Sequence, residues 1–183
     1  MPHAVTLTLP GQQVADRIRT RLPHAVRDVQ PGYVVLEPAS ALEVMAFIRD
    51  DEQLDGKFLV QMCSVDQVTR IDVVYHFSSL AQNHIFEVKV PADHEQPVVP
   101  SISPLWVGAW LQEREVYDLM GVVFEGHPAL TRLFLWDAFP GHPLRKDFMS
   151  LPGGQKTGLS QFPKQVPGQT GQEFRPPNPG TGQ

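Results

Sequence analysis

The strongest constraint on this fold is a pair of alternating apolar stretches joined by a short polar link. From Arg70 to Phe77, Ile71, Val73, Tyr75 and Phe77 fall on one side of an extended chain. From Ile85 to Val90, Phe86, Val88 and Val90 do the same, opposite Glu87 and Lys89. The link around Ser78 to Asn83 is short enough for a hairpin. Half-polar strands joined in this way call for an antiparallel sheet with one buried face. Tyr33-Val34-Val35-Leu36 and Lys57 to Met62 read as further strands. Helical spacing appears at Val14, Ile18 and Leu22, and stops at Pro23. Ser40-Ala41-Leu42-Glu43 has the form of a capping box, opening a helix with Leu42, Met45 and Phe47 to Ile48 inward. The expected class is α+β, a mostly antiparallel sheet covered by helices. An irregular segment and an extended Pro/Gly-rich C-terminal tail follow it.

The tail begins at a sharp break in composition. Residues 151–183 hold six Pro and seven Gly, too little apolar surface to offset chain entropy. The expected organisation is a folded domain over 1–150 and a tail over 151–183. The tail carries a formal charge of +2 against −7 for the domain. Two outcomes are open for it: a solvated, disordered chain, or a tail that orders along a partner with Phe162 and Phe174 as anchors.

Several function classes are excluded or left without support. A net charge of −5 argues against a general nucleic-acid binder. No run of apolar residues is long enough to span a bilayer, and the first residues have no secretory pattern. One cysteine, Cys63, excludes an internal disulfide and a cluster held by this chain alone. At the end of an apolar strand it reads as a small core residue. The histidines His3, His24, His76, His84, His94, His127 and His142 show no metal-ligand spacing. Gly153 to Gly158 resembles a phosphate loop only faintly and follows no strand.

Information concentrates between Ser103 and Phe148. Ser103-Pro104 suits a helix start and Gly121 its stop. The charges of Glu113-Arg114-Glu115 splay widely around such a helix. Arg114, with Trp110, Leu111, Tyr117 and Asp118 three or four residues away, is the candidate to turn inward, stacked on a ring and paired with a carboxylate. The alternative is an amphipathic helix with solvated charges. Beyond Gly121 the chain is irregular and rich in rings, with His127-Pro128 and His142-Pro143 held extended or in turns. Such chain makes sense packed against something else.

Three blocks carry a family resemblance: Glu113-Arg114-Glu115-x-x-Asp118-Leu119-Met120, His127-Pro128, and Gly141-His142-Pro143-Leu144-Arg145-Lys146-Asp147-Phe148. Together with Arg70 to Leu80, Val88-Lys89-Val90 and Pro100-Ser101-Ile102, they resemble the C subunit of respiratory complex I, the thirty-kilodalton-type hydrophilic component of NADH-quinone oxidoreductase. The match runs in order over roughly residues 56–149. Ala129 and Thr131 stand where the family usually has an acidic or polar residue and a basic one, while Arg132 is retained.

The resemblance implies a non-catalytic structural subunit of the peripheral arm of a proton-translocating enzyme. It would have no catalytic residue and no cofactor of its own. FMN, iron–sulfur clusters and quinone would belong to other subunits. Its partners would be the D subunit, which forms the quinone site, the cluster-bearing B subunit and other arm subunits, on the cytoplasmic side of a bacterial inner membrane. Membrane association would come only through the complex. The signature and interface residues so implied are Glu113, Arg114, Glu115, Asp118, His127, Pro128, Arg132, His142, Pro143, Leu144, Arg145, Lys146 and Asp147. The four helix charges among them are expected to meet Arg145, Lys146 and Asp147 in one network. An equivalent component of a membrane-bound hydrogenase or of a ferredoxin- or F420-dependent complex is the alternative. A free-standing hydrolase built on scattered His and Asp residues has no spacing to support it.

Overall fold

The computed structural model describes residues 5–139 and 141–149. The segment 151–183, with Phe162 and Phe174, lies outside the described residues. In chain order the elements are β1 (Leu7–Thr8), α1 (Gly11–Arg19), β2 (Val26–Gln30), β3 (Tyr33–Leu36), α2 (Ala41–Asp50), β4 (Phe58–Asp66), β5 (Arg70–Ser79), β6 (His84–Asp93), β7 (Val98–Pro100), α3 (Ala109–Met120) and β8 (Val123–Glu125). Short 3-10 turns cover Pro38–Ser40 and Lys146–Met149.

The alternating pair forms the centre of the sheet. β5 and β6 run antiparallel from Arg70↔Asp93 to Ser79↔His84. The sheet order is β2-β3-β6-β5-β4, with β1 also paired to β6. The β2–β3, β4–β5 and β5–β6 ladders are antiparallel, whereas β1 and β3 lie parallel to β6. Ile71, Val73, Tyr75 and Phe77 are at most 1% exposed. Phe77 packs its ring against Phe86 and Trp106, at 5.6 and 5.0 Å between centroids. Val14, Ala15 and Ile18 of α1, Val44, Met45 and Ile48 of α2, and Val116 and Met120 of α3 close the same core. Across the sheet, Lys89 lies 3.7 Å from the Tyr33 ring centre and 3.1 Å from Glu87. His76 lies 3.8 Å from Glu87. A parallel pair, β7 and β8, stands apart.

Tight passages explain two boundaries. α1 starts at Gly11 because a Cβ there would lie 2.1 Å from the Gln30 carbonyl oxygen and 2.4 Å from that of Tyr33. α3 ends at Gly121, whose φ of 79° is left-handed.

Four expectations are corrected. Ser40 makes no side-chain cap, because a 3-10 turn already leads the chain into α2. Leu42 is 44% exposed. The inward stripe of α2 is Ala41, Val44, Met45 and Ile48, and position 42 lies one helical step off it. Ser103-Pro104 opens only a turn, closed by Leu105 and Trp106 amides on the Ile102 carbonyl. Trp106 then enters the core, its indole N–H bonding the Gly56 carbonyl at 3.1 Å, and the helix begins at Ala109. Cys63 is half-buried on β4, a terminal strand of the sheet, rather than in the core.

Candidate functional site

α3 carries two carboxylates with no exposure, Glu113 and Asp118. Five residues apart, they point about 140° from each other. Glu113 looks toward the β7 side. It accepts the Ser101 hydroxyl at 2.6 Å and the Ile102 amide at 2.7 Å, with His127 Nε2 at 3.9 Å. Burial pushes its carboxyl above the ordinary glutamate value, and the Ser101 and Ile102 bonds offset only part of that. Ser101 and Ser103 are thus spent on Glu113 and on each other, at 2.7 Å between hydroxyls, rather than on a helix cap.

Asp118 looks the other way, into the segment after β8. It accepts the amides of Leu133, Phe134 and Leu135 at 3.0, 2.8 and 2.9 Å, and Arg132 at 2.8 Å. Burial alone would raise its carboxyl, but these donors outweigh burial and hold it below the ordinary aspartate value. Arg132 continues to the Phe139 and Gly141 carbonyls at 3.1 and 3.2 Å. One carboxylate and one guanidinium therefore bend residues 132–141 around the end of the helix.

The helix C-terminus is closed by the third block of the signature. The Gly121 amide bonds Tyr117, His142 Nδ1 bonds the Asp118 carbonyl at 2.9 Å, and the Leu144 amide bonds Leu119 at 3.0 Å. These are carbonyls that a helix leaves without partners at its end. The His142 ring lies over Gly121, where a Cβ would come within 2.7 Å of it. Burial, then the nearby Arg132 and Arg145, push its imidazole down. Pro143 fixes the chain between those two contacts. His127, with a side chain as buried as Glu113's, bonds the Trp110 carbonyl through Nε2 at 3.0 Å. It receives the Ala129 amide on Nδ1 at 3.0 Å, so the proton sits on Nε2. Pro128 follows on the surface.

Arg114 is half-buried and does not reach Asp118. It lies 5.1 Å from the Trp110 ring centre and donates to the Thr131 and Arg132 carbonyls at 3.0 and 2.8 Å. Stacking occurs, but main-chain oxygens replace the expected carboxylate. The single network is corrected too. Arg145 pairs with Asp147 at 2.9 Å and with the His94 carbonyl at 2.8 Å. The Lys146 amide bonds Asp66 at 2.9 Å, at the end of β4. Beyond Leu144 the chain turns away from the helix, so Arg145 and Lys146 anchor at the ends of β6 and β4 instead, with Asp147 paired to Arg145. Glu115 is exposed. The departures at Ala129 and Thr131 cost none of these contacts, since both contribute only main-chain groups. Asp66 was not singled out in the sequence, His94 was named only among the histidines without ligand spacing, and Ser101 only within Pro100-Ser101-Ile102. The Asp66-x-Val68 turn, with the Val68 amide on Asp66 at 2.7 Å, was the available hint for the first.

Among the described residues, no three His, Cys, Asp or Glu side chains gather as a metal site, and no helix is long and apolar enough to cross a membrane. What the arrangement does chemically is hold a loop in place. It leaves Phe134 64% and Leu144 60% exposed.

The sequence pattern described as "Respiratory-chain NADH dehydrogenase, 30 Kd subunit" matches residues 34–153. The C subunit of NADH-quinone oxidoreductase from Mesorhizobium japonicum is 42% identical over 180 residues, 94% of this chain and 88% of that protein. Its counterpart from Roseiflexus castenholzii is 43% identical over 148 residues, 77% of this chain and 85% of that one. A solved trypsin-resistant fragment (1–134) of Nqo5 is 33% identical with a TM-score of 0.54, covering 65% of this chain and 98% of the fragment. A chain of a membrane-bound sulfane sulfur reductase, an archaeal respiratory membrane complex, shares the fold at 21% identity and a TM-score of 0.60, covering 75% and 84%. The class is that of subunits in multi-subunit respiratory complexes. The chain belongs to the 30 kDa subunit family of the respiratory-chain NADH dehydrogenases.

Proposed function

We propose that this chain is a non-catalytic structural subunit of the peripheral arm of a proton-translocating NADH-quinone oxidoreductase. In this reading it packs against the D subunit at the quinone site, with the cluster-bearing B subunit nearby. FMN, iron–sulfur clusters and quinone reside in those and other subunits. It sits on the cytoplasmic face of a bacterial inner membrane, and the segment 151–183 orders along its neighbours. The observation that carries the reading is the direction of the signature residues. Glu113, Asp118, Arg132, His127 and His142 turn inward as anchors, while Phe134 and Leu144 are held outward. Rigid loops presenting apolar side chains are what a docking surface needs.

Arg114→Ala tests it. Losing two charge-assisted bonds to the loop costs about 2–3 kcal/mol locally, without touching the sheet. The expected result is a severalfold loss of assembled, quinone-reducing complex, while the free chain keeps its fold by circular dichroism. Normal assembly and turnover with this variant would refute the reading. Recovery of the chain with hydrogenase or F420-dependent subunits would favour the alternative complex.

A further inference from the structure

We propose that the groove between β4 and α3 receives an extended segment of a neighbouring subunit, carrying a basic side chain flanked by apolar residues. This rests on the structural role argued above and names where that contact is made. β4 is one of the two terminal strands of the sheet path β2-β3-β6-β5-β4. An open strand edge is a template for a further strand. Of its outward backbone, the Met62 amide is taken by the Gln112 side chain. Beside it runs a groove of about 390 Å³, floored by Val60 to Ser64 and walled by α3 and Leu144.

Three features say what fills it. The Ser64 hydroxyl is buried and, among the described residues, has no hydrogen-bond partner. A buried hydroxyl left unpaired is costly, and a main-chain group of an added strand would satisfy it. The side chain of Glu115, at the rim, makes no hydrogen bond or ion pair among the described residues. Every other charged residue of the signature is bonded: Glu113, Arg114, Asp118, Arg132, Arg145 and Asp147 through their side chains, and Lys146 through its amide. An unpaired carboxylate bordering apolar walls selects a Lys or Arg on the incoming chain. Val60 and Leu144, 49% and 60% exposed, would be covered by its apolar neighbours.

Cys63 lines the groove and is the chain's one cysteine, so its alkylation reports occupancy. Burial pushes its thiol up, so iodoacetamide labelling is run at mildly alkaline pH on the free full-length chain and on the purified complex. Docking predicts labelling at least about tenfold slower in the complex. Glu115→Arg should return most of that reactivity, or drop the chain from the complex while its free form stays folded by circular dichroism. Glu115→Gln should fall between. Equal labelling of free chain and complex overturns the proposal. So does protection already present in the free chain: loss on truncation after Met149 would name the chain's own C-terminal segment as occupant, and growth with concentration a second copy. A chain that copurifies with no oxidoreductase partner refutes the role itself, and this contact with it. An assembled complex with reactive Cys63 refutes only the contact.

Discussion

The sheet and the segment that wraps the end of α3 are held by opposite means. Between β5, β6 and the helices, cohesion is apolar area: Phe77, Tyr75, Val88 and Ile48 are buried by many neighbours, none of them indispensable in kind. From Arg132 to Phe148 the described apolar contact is a small ring cluster of its own, Phe139 with Trp136 and Phe148 at 4.9 and 5.9 Å between centroids. The chain is tied at points, by Asp118 to three amides, by Arg132 to two carbonyls, and by His142 and Leu144 to the helix end. A core built on area tolerates exchange of one apolar residue for another. A loop built on point contacts depends on the geometry of single groups, which is why its sequence looks unusual for a surface.

The sharpest way to break this contrast is to damage each side and ask whether the other follows. Phe77→Ala should cost about 3–5 kcal/mol and lower the global unfolding midpoint in urea, with sheet and wrap lost together. Asp118→Asn should cost less, about 1–3 kcal/mol, because an amide keeps one acceptor oxygen and so loses either the loop amides or its bond from Arg132, not both. Its damage should be local. Limited proteolysis should cut between residues 132 and 141 well before the sheet melts. Simultaneous loss of both regions in Asp118→Asn would show that the wrap is part of the core after all.

The same contrast explains what could be read from the sequence. Period-two alternation located β5 and β6 and the α+β class; burial follows it along β6 from His84 to Val90, whereas on β5 Asp72 and Val74 of the opposite face are buried as well. The signature residues were visible as a dense block, yet their pairing was not. Arg114 was the expected inward charge on α3, whereas Glu113 and Asp118 are the ones with no exposure. Beside the Ser101 hydroxyl and Arg132, their partners are main-chain amides of Ile102 and Leu133 to Leu135, and main-chain groups have no identity in a sequence. The short strands β1, β7 and β8 were likewise unreadable, since two or three residues carry no period.

The smallest effect separates the two buried carboxylates by sign. Asp118 titrates below its ordinary value, so the unfolded chain binds its proton first. Its contribution is present above the unfolded value, about 3.9, and is lost as pH falls through the folded one. Glu113 titrates above its ordinary value, so the folded chain holds its proton longer. Its contribution therefore declines as pH rises from about 4.3 toward the folded value. His127 and the buried Tyr75 face Glu113, and Arg132 faces Asp118. Both pairings can be followed by melting temperature against pH. Relative to the unaltered chain, Glu113→Gln should gain stability as pH rises above about 4.3, having no charge to bury. Asp118→Asn should show a shallower acid loss below about pH 4. Parallel curves for the two variants would mean that burial governs both carboxylates alike, and that the amides of Leu133 to Leu135 do not hold the wrap by charge.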